Sequence, residues 1–492
     1  MNILIAASEA VPFAKTGGLA DVCGAIPKAL ANLGHDVTLI LPAYRCTKKF
    51  PTEPTGITFS VWIQGRELKG TYRQCRLPDS HVPVYLVEHD LFFDREGLYN
   101  QNNEDYGDNC ERFVFFCYAV MEAIRLLDLK TDILHVNDWQ TGLIPALWTL
   151  RYRDYAEYER IATMMTIHNM AYQGSFPAEA MSLTGLHWKY FNWLQMEFYD
   201  RLNLLKTGIV FADAITTVSP SYAREIQYNG GFGLEGVLRN RSDVLWGIAN
   251  GIDTGEWNPQ TDVHIPAHYS VENVHEGKLA CKTALQQALG LPVHPDVPMV
   301  GFVGRLHEQK GVDLAVELIH RKAGNEEIQW VLLGSGDPNL EYSLRMLAAQ
   351  YPHRVSVSIA YSNTMAHQII AASDIFLMPS RFEPCGLTQL YSLRYGTIPV
   401  VHATGGLLDT VTDMTEETLL NHSATGIRFE TPNLEGITWA MDRAIGTYRY
   451  NSSAWTQMMK TGMQTDSSWE QSAQKYVEIY QKIQRKVPAK LS

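Results

Sequence analysis

Seven cysteines, Cys23, Cys46, Cys75, Cys110, Cys117, Cys281 and Cys385, are scattered through 492 residues, and none forms a CxxC pair. That spacing indicates neither a disulfide framework nor a zinc site, and a reducing cytoplasm is the simplest setting. Positive charge is also short: 41 Lys and Arg stand against 53 Asp and Glu, a formal net charge of −12. This argues against general nucleic-acid binding, which needs a basic surface; any phosphate site has to be a local concentration of positive charge. Long apolar runs are missing. The longest uncharged stretch, VSVSIAYSNTMAHQIIAAS at 355–373, is studded with Ser, Asn, Gln and His and would make a poor membrane span. The apolar opening NILIAASEA lacks a basic leader region and reads as a buried strand, not a signal peptide. No metal-binding cluster of His, Asp and Glu stands out, and oligomeric state leaves no mark.

What is present is apolar bulk. Hydrophobic residues make up 46% and charged residues 19%, enough for full cores, while the length exceeds the roughly 250–300 residues at which one core stops growing. Short apolar runs recur, each followed by a segment with helical spacing. They are NILIAA (2–7), DVTLIL (36–41), VPVYLV (82–87), DILHV (132–136), TMMTIH (163–168) and AITTV (214–218), then PMVGFV (298–303), QWVLLG (329–334), RVSVSI (354–359), DIFLM (374–378) and TIPVV (397–401). Such runs alternating with helices predict parallel sheets covered on both faces, hence two doubly wound α/β domains. The Gly-, Asn- and Pro-rich stretch 247–274 is the expected crossing. We expect domains at 1–247 and 248–460, and a terminal helix within 461–492. That helix opens on a capping-box pattern, Ser467 to Glu470, and carries Trp469, Ala473, Tyr476, Ile479, Tyr480 and Ile483 on one face.

Ligands of open α/β sheets bind beyond the carboxyl ends of strands, so the residues there matter most. After the first run comes AKTGGLADV, where Lys15 supplies a cation and Gly17 and Gly18 let backbone approach a ligand at a helix N-terminus. It is neither GxGxxG nor a Gly-Lys-Ser/Thr loop. After PMVGFV, Arg305 and Lys310 in GRLHEQKG could receive a diphosphate, or be ordinary surface cations. After DIFLM, Glu383 precedes Pro-Cys-Gly; it could accept bonds from sugar hydroxyls, or be a first-turn helix acid favoured by the dipole. TIPVV leads to Gly405 and Gly406 before another helix. Asp138 and His168 end two strands of the first half; a lone histidine is more often structural. Cys385 is equally a small packed residue.

KTGGLADV, NDWQTG, TIHNMAYQG, ANGID, GRLHEQKG, EPCGLTQLY and ATGGLLDTV, in that order, resemble the bacterial glycogen synthase and plant starch synthase family, a family-5 glycosyltransferase group, over essentially the whole chain. The resemblance implies a GT-B fold: two Rossmann-like domains with the active site between them and a C-terminal helix returning to the first. It implies transfer of glucose from ADP-glucose to the non-reducing end of an α-1,4-glucan, with retention and release of ADP, and no metal or other cofactor. Lys15 would reach the donor phosphates, and Arg305 and Lys310 would bind the diphosphate. Glu383, Cys385, Gly386 and Leu387 would hold the glucose hydroxyls, and Thr388, Gly405 and Gly406 would cradle phosphate. His168 would touch the sugar's 6-hydroxyl. Asp138 and Asn250 would lie near the donor glucose, Tyr361 would stack on adenine, and Glu9 and Tyr99 would face the acceptor. Many GT-B relatives carry a second glutamate eight residues after the first; here Tyr391 stands in its place.

A UDP-glucose transferase or one making another linkage remains open on these residues. A glucan-binding protein that has lost its chemistry would not need Lys15, His168, Arg305, Lys310 and Glu383 together. A nicotinamide oxidoreductase lacks its GxGxxG here, and no lysine stands out for pyridoxal phosphate. No motif clearly supplies a nucleophilic carboxylate beside the anomeric carbon, Asp138 being the one named candidate. Attack from the same face as the leaving phosphate is therefore the expected course.

Overall fold

The computed structural model describes residues 1–102 and 104–484. The chain forms two compact units: Met1–Gly251 with the helix that begins at Trp469, and Ile252–Ser468. In the first, a nine-stranded sheet runs in the order Leu245–Gly247, Ala214–Thr217, Ala162–Ile167, Ile133–Asn137, Asn2–Ala6, Asp36–Pro42, Pro83–Glu88, Arg66–Arg76, Glu53–Ile63. The seven strands from Leu245–Gly247 to Pro83–Glu88 pair in parallel. Ala162–Ile167 is buried at every position, as a strand covered on both faces must be. The predicted runs of this half all form strands, with ends shifted by a residue at most. Within this sheet the short edge strand Leu245–Gly247 and the antiparallel hairpin Glu53–Ile63/Arg66–Arg76 were not foreseen. The hairpin strands are half exposed and alternate polar with apolar residues, so they offer no continuous apolar run.

The second unit holds six strands, all parallel, ordered Val355–Ile359, Gln329–Gly334, Met299–Val303, Ile375–Met378, Ile398–His402, Ile427–Phe429. Numbered along the chain this is 3-2-1-4-5-6, the doubly wound order, and the parallel strands of the first unit read 3-2-1-4-5-6-7. Each sheet therefore reverses direction between its first and fourth parallel strands, which is where such sheets open a crevice. KTGG and NDWQ follow those two strands in the first unit. GRLHEQKG and the loop of EPCG follow them in the second. The same two places in each sheet carry the motifs singled out from sequence.

The unit boundaries differ from the expected ones. Ile248 packs in the first unit's core and its N–H donates to Thr217 O at 2.8 Å, which moves the crossing from residue 247 to 251. The helix Ser452–Gln464 runs unbroken through residue 460, with Trp455, Met458, Met459 and Met463 in the second unit's core, which moves the second crossing to 468. The last described helix, Trp469–Gln484, buries Trp469, Ser472, Ala473, Tyr476, Ile479, Tyr480 and Ile483. It packs beside Gly18–Asn32, and Tyr480 OH lies 2.7 Å from His135 Nδ1 beneath the sheet. Because the helix opens at Trp469, Ser468 precedes it, one residue later than the capping pattern indicated.

Candidate functional site

In the first unit the loop of KTGG is tied down by Glu9. This buried carboxylate accepts from the backbone N–H of Thr16, from Thr16 Oγ1 at 2.6 Å and from Tyr99 OH at 2.6 Å, while Tyr99 OH in turn accepts from Ser8 Oγ at 2.7 Å. Glu9 and Tyr99 thus meet each other and the loop. Lys15 Nζ pairs with Asp21 at 2.7 Å in the first turn of the helix Gly18–Asn32. Burial raises the Asp21 carboxyl pKa against the pull of Lys15. A Cβ built on Gly17 or Gly18 would meet nothing within 4 Å, and neither residue has a positive φ. The fold has no need of glycine at either position.

Asp138 follows the strand Ile133–Asn137 at φ 56, ψ −173, a backbone region almost reserved for glycine and costing about 1–3 kcal/mol. Its N–H donates to Thr166 O at 3.0 Å. Its Oδ1 accepts the N–H of His168 at 2.7 Å. Burial lifts the carboxyl pKa to about 7; the amides of His168 and Asn169 oppose that rise and the charge of Glu9 adds to it. Burial lowers His168 to about 3, so the ring is neutral at ordinary pH. Asn137 Nδ2 donates to Ala6 O at 3.2 Å, which leaves Asn137 Oδ1 to accept from His168 Nε2 at 2.9 Å. The proton therefore sits on Nε2 and Nδ1 is the acceptor. Asn137 was missed from sequence; its place in HVND, beside Asp138 at a strand end, was the signal. Asn250 is buried, with no hydrogen-bond partner for Oδ1 among the described residues.

In the second unit the loops after the first and fourth strands meet. Lys310, closing the turn Glu308–Lys310, places Nζ 2.5 Å from Glu383 Oε2, which also accepts from Ser380 Oγ at 3.0 Å. Ser380 had no sequence signal. Arg305 is exposed in the first of these loops. Glu383 is no first-turn acid: the helix begins five residues later, at Thr388. Between them Gly386 adopts φ +72, and Gln389 Nε2 donates to Cys385 O, Gly386 O and Thr410 Oγ1 at 2.9, 3.0 and 3.1 Å. Leu387 caps the helix, Thr388 Oγ1 donates to Met378 Sδ at 3.5 Å, and Cys385 is buried.

Gly405 and Gly406 have a structural reason to be glycine. Gly406 N–H donates to Glu383 O at 3.0 Å. A Cβ on Gly405, which sits at φ +46, would lie 2.0 Å from that same oxygen, and one on Gly406 2.2 Å from Cys385 O. The two loops pack backbone on backbone, which holds Glu383 in place. Tyr391 stacks on Trp257 with ring centroids 3.7 Å apart, and Trp257 stacks at the same distance on His367, whose Nδ1 bonds Asp262 Oδ2 at 2.8 Å. Tyr361, at 80% exposure, joins none of these contacts. No group of three or more potential metal ligands occurs among the described residues, and no helix there is long and apolar enough to cross a membrane.

Two Rossmann-like sheets in one chain, each with its polar loops at the switch point, define a GT-B glycosyltransferase fold. Residues 2–240 match the family model of the starch synthase catalytic domain, and residues 290–451 that of glycosyl transferases group 1. A glycogen synthase of Rhodopirellula baltica is 44% identical over 98% of this chain and 97% of its own length. One of Anaeromyxobacter sp. is 46% identical over 98% and 99%. The catalytic domain of starch synthase IV from Arabidopsis thaliana, solved with ADP and acarbose, superposes with a TM-score of 0.91 at 33% identity, covering 98% of this chain and 99% of that one. A sucrose-phosphate synthase of Thermosynechococcus elongatus, 17% identical with a TM-score of 0.59, shares the fold. The chain belongs to the glycogen synthase and starch synthase family.

Proposed function

We propose that this protein transfers glucose from ADP-glucose to the non-reducing end of an α-1,4-glucan, retaining the anomeric configuration and releasing ADP. The observation that carries the reading is the Lys310–Glu383 pair at the second unit's switch point, one group suited to phosphate and its neighbour to sugar hydroxyls. Relatives named glycogen synthase and the ADP-bound starch synthase support it.

Departure of ADP builds negative charge on the leaving oxygen and positive charge on the sugar. Arg305, Lys310 and Lys15 would stabilise the diphosphate, with Thr388, Gly405 and Gly406 presenting backbone beside it and Gly17 and Gly18 allowing close approach. Preorganised donors of this kind are commonly worth ~3–4 kcal/mol each. Glu383 with Cys385, Gly386 and Leu387 would hold glucose hydroxyls. His168, neutral and with Nδ1 as acceptor, would accept a hydrogen bond from the 6-hydroxyl without placing a charge beside the sugar. Asn250 would serve the donor glucose, Tyr361 the adenine, and Glu9 and Tyr99 the acceptor side. Asp138 Oδ1 is engaged by a backbone amide and its carboxyl is partly protonated near neutral pH, a state suited to holding a hydroxyl, not to attacking carbon. Same-face attack, the leaving phosphate taking the acceptor's proton, follows. Because the chain's own cations supply the charge, the reading assigns no metal.

The test is ADP release with glycogen primer, using ADP-glucose and UDP-glucose side by side in EDTA. Release from ADP-glucose with a new α-1,4 linkage is expected. Absence of release with any primer overturns the reading, and trapping of a glucosyl-enzyme with a fluorinated donor overturns same-face attack.

A further inference from the structure

Arg112, in the helix Asn109–Leu126, is wholly buried. Its described hydrogen bonds all end on neutral oxygens. Nε donates to Phe92 O at 2.7 Å, Nη1 to Asn109 Oδ1 at 2.6 Å and Nη2 to Leu98 O at 2.9 Å. The rings of Phe93, Tyr106 and Phe113 surround the guanidinium carbon at 5.7, 5.0 and 5.3 Å, and burial lowers its pKa. A cation held in such a place costs stability that an apolar side chain of similar volume would not. Packing alone therefore gives no reason for an arginine here. The groups that its fork holds do.

Leu98 O and Tyr99 O belong to the two peptide groups that flank Tyr99. Arg112 binds the first directly. Its bond to Asn109 Oδ1 orients the buried Asn109 amide, whose Nδ2 donates to Tyr99 O at 2.9 Å; the Tyr106 N–H donates to the same oxygen at 3.0 Å. With both flanking carbonyls pinned, the Tyr99 ring is directed to Glu9, where its OH donates to Oε1 at 2.6 Å. Glu9 in turn holds the N–H and Oγ1 of Thr16. Residues 15–18 of the KTGG loop are exposed, and this carboxylate ties them to the core. An unbroken line of hydrogen bonds thus runs from Arg112 through Asn109, Tyr99 and Glu9 to Thr16.

We propose that Arg112 is a positioning residue for glucosyl transfer: with Asn109 it sets Tyr99, and through Tyr99 and Glu9 it sets the KTGG loop. The proposal rests on the function inferred above, in which Tyr99 and Glu9 serve the acceptor and Lys15 the donor phosphates. One buried group would then hold both parts of the first unit's share of the site. A planar fork suits this task where a point charge does not, because its donors leave in fixed directions toward separate carbonyls. Buried polar networks in which every bond is made are stiff, and a site whose groups must stand within about half an ångström of their places needs such support.

The test is Asn109→Asp in the full chain, alone and combined with Tyr99→Phe. Aspartate keeps an acceptor for Arg112, gives the buried cation a carboxylate and suits the first turn of its helix, but it cannot donate to Tyr99 O. The urea midpoint should therefore hold or rise while kcat/KM for maltotriose falls about five- to tenfold, the loss of one hydrogen bond. In the Tyr99→Phe background the same change should cost less than about twofold more. Amide exchange at Thr16 reads the line without turnover: it should quicken in Asn109→Asp, and be no faster in the double variant than in Tyr99→Phe. Unchanged kcat/KM in Asn109→Asp overturns the proposal, as does an equal loss in the Tyr99→Phe background. A lowered midpoint with unchanged turnover per folded molecule makes the network structural and overturns it too. If Asn109→Asp does not fold, Asn109→Ala takes its place in the same cycle. If the unaltered protein releases no ADP with any primer yet Thr16 exchange follows the stated order, the function reading fails and the line stands. ADP release with Thr16 exchange equal in all variants has the opposite meaning.

Discussion

Lys310 Nζ lies 2.5 Å from Glu383 Oε2, joining the loop after the first strand of the second unit to the loop after its fourth. The pair is more than a phosphate clamp beside a sugar ligand: each group satisfies the other until a substrate competes. Lys310→Ala is expected to lower turnover at least ~100-fold. It also strands a buried carboxylate, at a cost of about 3–5 kcal/mol. Lys310→Ala with Glu383→Gln, measured beside Glu383→Gln alone, separates the two effects, because the neutral amide removes the stranded charge and the single variant shows what the altered sugar ligand costs. Urea midpoints should recover in the double variant while its turnover stays well below that of Glu383→Gln alone. Equal turnover in the two would make the lysine structural.

Glycines at two loops make opposite predictions. Gly18→Ala fills open space at a helix start, so unfolding midpoints should hold or rise slightly, by up to about 1 kcal/mol, while the KM for ADP-glucose climbs. Gly405→Ala drives a methyl to 2.0 Å from Glu383 O and should destabilise by at least about 2 kcal/mol. An unchanged donor KM in the Gly18 variant would end the close-approach reading there. Lys15→Ala should lower both turnover and donor affinity if its ammonium reaches the phosphates.

Most of this architecture was legible because buried parallel strands are continuous apolar runs, and the switch-point loops follow such runs directly. What escaped notice had another physical signature. The hairpin 53–76 alternates, and its charges hide it from a search for apolar runs. Asn137 acts through a short contact to His168, at the end of a neighbouring strand, and Ser380 through one to Glu383 within its own loop. The Gly405–Gly406 pair was read as a phosphate cradle because sequence cannot distinguish backbone meeting ligand from backbone meeting backbone. The unit boundaries slid by four and eight residues for a similar reason: Ile248 and Met463 look like linker and tail until the cores that claim them are assembled.

Tyr480 anchors the last described helix through His135, whose Nε2 contacts Thr166 Oγ1 at 2.6 Å while Nδ1 meets Tyr480 OH at 2.7 Å. Burial lowers the His135 pKa to about 3, so both contacts are made by a neutral ring. Tyr480→Phe leaves one ring nitrogen without its partner in the core and should cost about 1–3 kcal/mol in urea unfolding at pH 7.5. A midpoint shift too small to measure would show that apolar packing alone holds the helix.

Asp138 gives the sharpest dependence on pH. Its folded pKa of about 7 stands above the ordinary carboxyl value of 3.8 because burial penalises the charge. Between those values the folded chain holds a proton that the unfolded chain has lost, so this residue's contribution to stability falls as pH rises from about 4 to 7 and is flat beyond. That gap corresponds to roughly 4 kcal/mol at most. Asp138→Asn keeps an acceptor for the His168 amide and removes the titration. Plotted as variant minus unaltered protein, unfolding free energy should therefore rise from pH 4.5 to pH 7.5. Taking the difference cancels His135 and His168, whose depressed values act in the opposite sense. A flat difference would mean that Asp138 is ionised across the range, and a carboxylate nucleophile would then regain its standing.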